Sequence, residues 1–388
     1  MYRLVKILRV GIFVFIFFLL LIIYGVLIEF YRRSWNQLPE IESATASEGE
    51  VRISVVVAVR NEDQNITRLI NSLLAQDYSF EKFEIIVVDD HSTDNTLALI
   101  HDLASKDVAG PKIRVLQSAQ EGKKNAIAAG VGAASGELIV TTDGDCSFPH
   151  EWLGSLAAFY IKTNAAFIAA PVALERGTTL LSVFQTLDFI TLQGITGAAV
   201  SKKFNAMCNG ANLAYPKNIF EEVNGFDGID RVPTGDDMLL MHKIQQRYPD
   251  KIQYLKSRAA IVTTRPEETW RKFFQQRIRW ASKATIYDDK KTTYILFLVY
   301  FFNLCFPVMG LLCIFHPSLL FLFMLFLLAK TIIEYPFVNN VAAFFRQQKL
   351  MKYFIALQPL HIIYILLSGL LGTFSSYEWK GRKIKTAL

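Results

Sequence analysis

Apolar and polar positions divide the chain into an apolar start, a long mixed middle and an apolar end. Val10 to Ile28 is continuously apolar and long enough to cross a bilayer. Arg3, Lys6 and Arg9 precede it, as in a signal peptide. The run exceeds a usual signal-peptide core, however, and Ile28-Glu29-Phe30-Tyr31-Arg32-Arg33 offers no small-residue cleavage site. The reading is an uncleaved anchor over residues 1–33, with its span at about 10–28. A polar linker over 34–50 follows, carrying Pro39, Ser43, Ser47 and Gly49. The apolar pattern returns in three runs, 294–315, 319–335 and 354–374, which make a membrane region of 289–375 ahead of a basic tail at 376–388. A tight His316-Pro317 turn joins the first two, and Pro359 and His361 interrupt the third.

The middle, 51–288, has a shorter period. Ile53–Val59 reads as a buried strand, and Arg60-Asn61-Glu62-Asp63 ends it and opens a helix to about Gln76. Phe83–Val88 is the next strand, ending in Asp89-Asp90-His91, with a helix to about Ser105. Ile113–Leu116 is a third strand and Gly122–Ser135 a third helix, after which Leu138–Thr142 runs into Asp143. Repeated strand-helix units predict an α/β domain: a mostly parallel sheet with helices on both faces. Ligands of such sheets bind at the carboxyl ends of strands, where Arg60, Asp90 and Asp143 fall.

Beyond Cys146 the pattern is less regular. Leu180–Val200 is apolar apart from Gln185, Asp188 and Gln193, so it lines a cleft or lies on the membrane. Asn209-Gly210-Ala211-Asn212 is a turn-forming cluster, and Gly235-Asp236-Asp237 precedes a helix from Met238 to about Arg247. On local grounds one of those two acids is equally readable as a simple N-cap. Residues 267–285 form a basic, amphipathic, interfacial helix that would set Phe273, Phe274 and Trp280 among lipid headgroups.

Composition supports a membrane protein with a globular part: 52% of the 388 residues are hydrophobic and only 20% are charged. The net charge of +6 gathers beside the apolar runs, at Arg32 and Arg33 and again at Lys380, Arg382, Lys383 and Lys385. That placement fits anionic headgroups. No nucleic-acid motif accompanies it, so nucleic acid is not an expected partner. Three C-terminal crossings would put the basic tail opposite the globular part, against the positive-inside rule, so the last run is expected to be re-entrant or bent. The four cysteines, Cys146, Cys208, Cys305 and Cys313, show no metal or disulfide spacing; the first two read as small packing residues and a reducing compartment fits.

The chemistry centres on Asp143-Gly144-Asp145. On a strand the two acids project to one side, and Gly144 leaves room for a ligand to approach. Two hard oxygen ligands suit a divalent cation that fills its shell with diphosphate oxygens, although the same tripeptide also occurs in solvated turns. No G-x-G-x-x-G or Walker loop is present, so a bound nucleotide must be met by a metal and basic side chains.

Taken together, these residues resemble the family 2 glycosyltransferases, in particular the membrane-bound group containing cellulose, chitin, hyaluronan and poly-N-acetylglucosamine synthases and ceramide glucosyltransferases. The resemblance rests on Ala58-Val59-Arg60-Asn61-Glu62, Val87 to Asp94, Gly122-Lys123, Ser135-Gly136-Glu137 leading to Asp143-x-Asp145, Asp236-Asp237, and Gln276-x-x-Arg279-Trp280. It covers roughly Val51 to Trp280. Asp236 stands where the family more often has Glu, and Trp379-Lys380-Gly381-Arg382 is similar to a tail segment of some lipid-directed members.

The resemblance implies a GT-A type nucleotide-diphospho-sugar transferase domain flanked by transmembrane helices. It implies transfer of a sugar, with inversion, from a UDP- or GDP-sugar to a lipid or glycan acceptor. Asp145, helped by Asp143, would hold Mg²⁺ or Mn²⁺ on the diphosphate. Asp237 would be the catalytic base and Arg279 would add positive charge near the diphosphate. Arg60, Glu62, Asp90 and Lys123 would serve the donor, with Asp90 contacting its base and Lys123 supporting that site. Asp236, Gln276 and Trp280 would border the acceptor. The enzyme would be an integral, multi-pass protein with its catalytic domain on the cytosolic side of what is expected to be a bacterial inner membrane, leaving the Asn65-Ile66-Thr67 sequon unused. His91 and His242 read as polar neighbours. The rivals are a processive polysaccharide synthase, for which the membrane part is short, a nucleotidyltransferase, and a non-enzymatic membrane scaffold.

Overall fold

A computed structural model describes residues 2–42, 51–106, 110–204, 207–229, 235–282, 290–374, 377–379 and 382–384. Helix α1 (Tyr2–Gln37) leads into the α/β domain. Its first half is β1 (Ile53–Val59), α2 (Ile66–Leu74), β2 (Phe83–Asp89), α3 (Thr96–Lys106), β3 (Lys112–Gln117), α4 (Lys123–Ala133) and β4 (Leu138–Asp143). Its second half is α5 (Trp152–Thr163), β5 (Phe167–Ala169), β6 (Val172–Leu174), α6 (Leu180–Ser201), β7 (Leu213–Pro216), α7 (Lys217–Glu222), α8 (Asp236–Arg247), β8 (Ile252–Tyr254), β9 (Val262–Thr264) and α9 (Trp270–Ala281). Then come α10 (Lys290–Phe315), α11 (Leu319–Phe344), α12 (Phe354–Phe374) and a hairpin of β10 (Tyr377–Trp379) and β11 (Arg382–Ile384). Of the tail segment, Lys380 and Gly381 lie outside the described residues, as do 43–50 of the linker and 283–289 at the end of the expected interfacial helix.

Strands β1 and β2 are near-continuous runs of β-branched residues because both of their faces are covered, as interior parallel strands require. The sheet order is β3-β2-β1-β4-β7-β5-β8. The first four strands are parallel, with Val57 paired to Val87 on one side and Thr142 on the other. Strand β7 runs antiparallel to β4 and β5, a reversal the sequence pattern did not predict, and β8 is parallel to β5. One face packs Val56, Ile86 and Val88 on α4 through Ala126, Ile127 and Val131. The other packs Val55, Val57, Ile85 and Val87 on α2 and α5. Because the chain leaves β1 toward β2 and later returns on its far side as β4, the carboxyl ends of β1 and β4 flank a topological switch point.

The opposite end of the sheet is tied by Glu84, whose Oε1 accepts from Ser135 N (2.6 Å), Ser135 Oγ (2.7 Å) and Ser54 Oγ (2.7 Å). Gly136 is needed beside it, since a Cβ there would stand 2.5 Å from the Ser54 backbone nitrogen. Burial pushes the Glu84 carboxyl up, but these hydrogen bonds and Arg114 outweigh it and hold the group below the usual range. A depressed carboxylate contributes stability above its unfolded value of about 4.3 and loses it as pH falls through the folded one. Acid unfolding of the detergent-solubilised chain should therefore steepen below about pH 4. The Glu84→Gln variant, weaker at pH 7 by about 1–3 kcal/mol, should show a shallower acid limb. Parallel acid limbs would remove Glu84 from this role.

Among the described residues, four helices are long and apolar enough to cross a membrane, within α1, α10, α11 and α12 with the turn before it. They are joined by aromatic contacts, among them Phe17 stacked on Phe326 at 4.1 Å and Tyr24 on Phe302 at 4.4 Å. Helix α6 fastens them to the α/β domain. A Cβ on Gly194 would stand 2.4 Å from Val341 of α11, and one on Gly197 would stand 2.7 Å from the Trp35 ring of α1.

Two expectations are corrected here. Pro359 and His361 do not interrupt the last apolar run: α12 is one helix, with Pro359 inside it. Ahead of it, at the end of α11, Phe344 O accepts from Arg258 Nε (3.1 Å) and Arg346 O from Arg176 Nη2 (3.3 Å). At the end of α12, Gly372 packs on Ala281 of α9. The end of α11 that leads toward α12 and the far end of α12 thus both lie against the α/β domain. Nor does α9 set Phe273 among headgroups. Phe273 is fully buried, 5.7 Å from Phe184 of α6 and 5.4 Å from Tyr364 of α12, because α12 covers the apolar face of α9.

Candidate active site

At the carboxyl end of β1, Arg60 Nη1 donates to the carbonyls of Asp90 (2.7 Å) and His91 (3.0 Å), binding the β1 and β2 ends together. Asn61 and His91 adopt left-handed backbone angles in these two turns, and Asn61 Oδ1 accepts from Thr93 N at 2.8 Å. Asp90 is buried, and its Oδ1 accepts from Gly122 N at 2.8 Å. Gly122 has φ +117°, and it sets the start of α4 and hence the direction of Lys123. Glu62 is buried as well; its Oε2 accepts from Asn65 Nδ2 at 2.8 Å.

Strand β4 stops at Asp143, so strand alternation does not orient Asp145, which lies in the turn beyond. Gly144 closes this turn against Glu62, where a Cβ would stand 2.9 Å from Glu62 Cγ. Asp143 Oδ1 faces Lys123 Nζ at 2.7 Å, whereas Asp145 Oδ2 accepts from Thr264 Oγ1 of β9 at 2.9 Å. The Cys146 thiol, pushed up by burial, donates to Asp145 Oδ1 across 3.7 Å.

The resemblance implied that Lys123 supports the base site; its ammonium bridges Asp143 and Asp236, 2.9 Å from Asp236 Oδ2. Burial opposes that charge, and the two carboxylates prevail and hold Lys123 well above its usual range. Gly210 packs against the bridge, where a Cβ would stand 3.2 Å from Lys123 Nζ. The N-cap reading of the acid pair fails because the cap of α8 is Gly235 in a left-handed conformation. Asp237 Oδ1 accepts from Met238 N (2.8 Å) and its Oδ2 from Gly210 N (3.2 Å).

On α9, Gln276 Nε2 donates to Glu267 Oε1 at 3.0 Å. Burial pushes the Glu267 carboxyl up, against Lys272 and Arg279. Between Gln276 and Arg279 lies a residue that sequence reasoning passed over. Arg277 Nη2 stands 2.8 Å from Asp188 Oδ2 of α6, and its guanidinium lies 4.1 Å from the Trp280 ring centre. Both partners are buried. Asp188 was visible as the one acid in an otherwise apolar helix.

All the candidate residues, from Arg60 to Trp280, line one cavity of about 1620 Å³. This exceeds the roughly 300–1,000 Å³ of ordinary small-molecule sites. It continues past α6 and α9 to Tyr24 and Ile28 of α1, Phe337 of α11 and Leu357 of α12. Among the described residues no three His, Cys, Asp or Glu side chains are placed to enclose a metal ion. Two carboxylates lining the same cavity, with a glycine between them in sequence, fit a divalent cation that takes most of its shell from phosphate oxygens.

Residues 54–223 match the family model described as Glycosyl transferase family 2. The probable glycosyltransferase YdaM of Bacillus subtilis is 26% identical over 269 residues, 65% of this chain and 61% of the relative. The undecaprenyl-phosphate 4-deoxy-4-formamido-L-arabinose transferase of an Enterobacter species is 35% identical over 113 residues, 28% of this chain and 33% of its own. The matched stretch thus spans under two thirds of either relative's length. Among solved structures, the mannosyltransferase PcManGT from Pyrobaculum calidifontis, in complex with GDP-Man and Mn²⁺, superposes with a TM-score of 0.59. It is 16% identical over 92% of this chain and 95% of its own, a likeness of fold.

Proposed function

We propose, for a chain whose domain at residues 54–223 belongs to glycosyl transferase family 2, that it moves a sugar from a nucleotide-diphosphate sugar to a membrane-lipid or lipid-linked acceptor hydroxyl, with inversion, at the cytosolic face. The observation that carries this reading is the single cavity joining Asp143, Asp145 and Asp237 to the apolar helices α1, α11 and α12. A soluble acceptor has no use for that second half.

In this reading Asp90 receives hydrogen bonds from the donor's base. Asp145 and Asp143 would hold Mn²⁺ or Mg²⁺, which supplies Lewis-acid charge for the departing diphosphate. Mn²⁺ in PcManGT supports the choice of ion. Asp237 takes the proton of the acceptor hydroxyl as it attacks the anomeric carbon. Gly210 N and Met238 N both donate to its carboxylate, which fixes its direction. Arg279 lends positive charge beside the diphosphate, and Trp280 walls the acceptor. Helices α1, α10 and α11 cross the membrane in this reading, and α12 lies along its inner surface. That arrangement keeps the basic tail on the side of the catalytic domain, as the positive-inside rule requires.

The test is release of nucleoside diphosphate by the full chain in nanodiscs, across a panel of UDP- and GDP-sugars with membrane lipid supplied. One donor should be turned over. EDTA should stop the reaction, added Mn²⁺ should restore it, and Asp145→Asn should slow it by about 10²-fold or more. No turnover of any donor by folded protein would favour a scaffold.

A further inference from the structure

Where the catalytic half of the cavity meets the apolar half, the wall is polar and its charges are paired off. Arg277 faces Asp188 at 2.8 Å, and Glu334 of the wall is met from behind by Lys330, which does not itself line the cavity, at 2.6 Å. Gln358 joins the second pair, accepting from Lys330 (2.7 Å) and donating to Glu334 Oε2 (2.7 Å), while Tyr24 donates to Glu334 Oε1 at 2.5 Å. His361 Nε2 lies 3.8 Å from Asp188 Oδ1. Arg277 is only 2% exposed, yet among the described residues its Nε and Nη1 have no hydrogen-bond partner, nor does Ser368 Oγ. Arg277, Asp188, His361 and Ser368 all line the cavity.

We propose that this collar is a subsite for an uncharged, hydrogen-bonding linkage of the acceptor lipid, such as the ester or amide that joins a headgroup to its acyl chains. The proposal rests on the lipid-acceptor reading and names the class of lipid. Buried donors left unmet are costly, so a bare hydrocarbon chain lying across Arg277 is disfavoured. An anionic phosphate is disfavoured too. Each cation of the collar already has its carboxylate, and an unpaired charge in a water-poor site is costly. Ester carbonyls accept hydrogen bonds without bringing charge. They also sit between headgroup and chains in a glycerolipid, as the collar sits between the carboxylates and the apolar helices.

The test needs no donor sugar, so it stands apart from the test of transfer. The full chain in detergent is mixed with equal dioleoylglycerol, undecaprenyl phosphate and squalene, and the lipid retained is read by native mass spectrometry. Dioleoylglycerol should be retained at least about tenfold over the other two, and Arg277→Met should lower that retention by about tenfold. Ser368→Ala should lower it less. It serves as the milder probe should Arg277→Met not fold, with Mn²⁺-dependent nucleoside diphosphate binding as the check of folding. Preferred retention of undecaprenyl phosphate would make the collar a phosphate site, and equal retention of squalene would show that it reads nothing. Either result overturns the proposal.

Discussion

Asp237→Asn should leave a folded protein that still binds its donor, with transfer slowed by about 10³-fold or more. The amide keeps the shape of the side chain, and its oxygen can still accept from Gly210 N or Met238 N, so the loop at 209–212 and the start of α8 should stay in place. What disappears is a basic oxygen for the proton of the attacking hydroxyl, a loss worth about 10²–10⁴ in rate. The effect should fall on kcat with the donor KM little changed, because the interaction lost is made only in the transition state. Single-turnover transfer in nanodiscs, with nucleoside diphosphate binding measured on the same samples, checks this. Retained activity within tenfold of the parent would mean another group takes the proton. Glu267 of the same cavity is then the next to replace, since burial pushes its carboxyl up and the cavity wall already includes it.

The sequence pattern was most informative where one side-chain period ran for several residues. Strands β1, β2 and β4 are unbroken β-prone runs of six or seven residues. Their carboxyl ends place Arg60, Asp90 and Asp143 from the strand pattern alone. Strands β5, β6, β8 and β9 have three residues each, too few for a period to register, so the antiparallel turn of the sheet at β7 went unseen. Amphipathicity showed that α9 has an apolar face but not what covers it, and Phe273 was assigned to lipid where α12 packs instead. The pairing of Arg277 with Asp188 joins two helices far apart in the chain, and no local pattern reports such a contact. The same holds for Lys123. Its position between two carboxylates depends on α4 crossing to the β4 edge of the switch point, a tertiary fact.

Lys123→Met should lower transfer by about 10²-fold or more and, in the absence of nucleotide, tighten the binding of Mn²⁺. The Lys123 ammonium stands 2.7 Å from one proposed metal ligand, Asp143, and 2.9 Å from Asp236, so it is a built-in cation in the acidic corner. Removing it frees Asp143 Oδ1 and leaves Asp236 and Asp143 without their common counter-charge, which favours any external cation. The same removal loosens Asp236, the first residue of α8, and with it the register of Asp237 and the Gly210 turn packed against Lys123. Displacing a reacting carboxylate by as little as about 1 Å can cost 10²-fold in rate. Activity and metal affinity therefore move in opposite directions, a pattern that general unfolding cannot produce because a damaged site would lose both. Isothermal titration of Mn²⁺ into the nucleotide-free variant, beside the transfer assay, gives both numbers. Weaker Mn²⁺ binding in the variant would instead make Lys123 an organiser of the metal site, and unchanged transfer would remove it from the catalytic machinery.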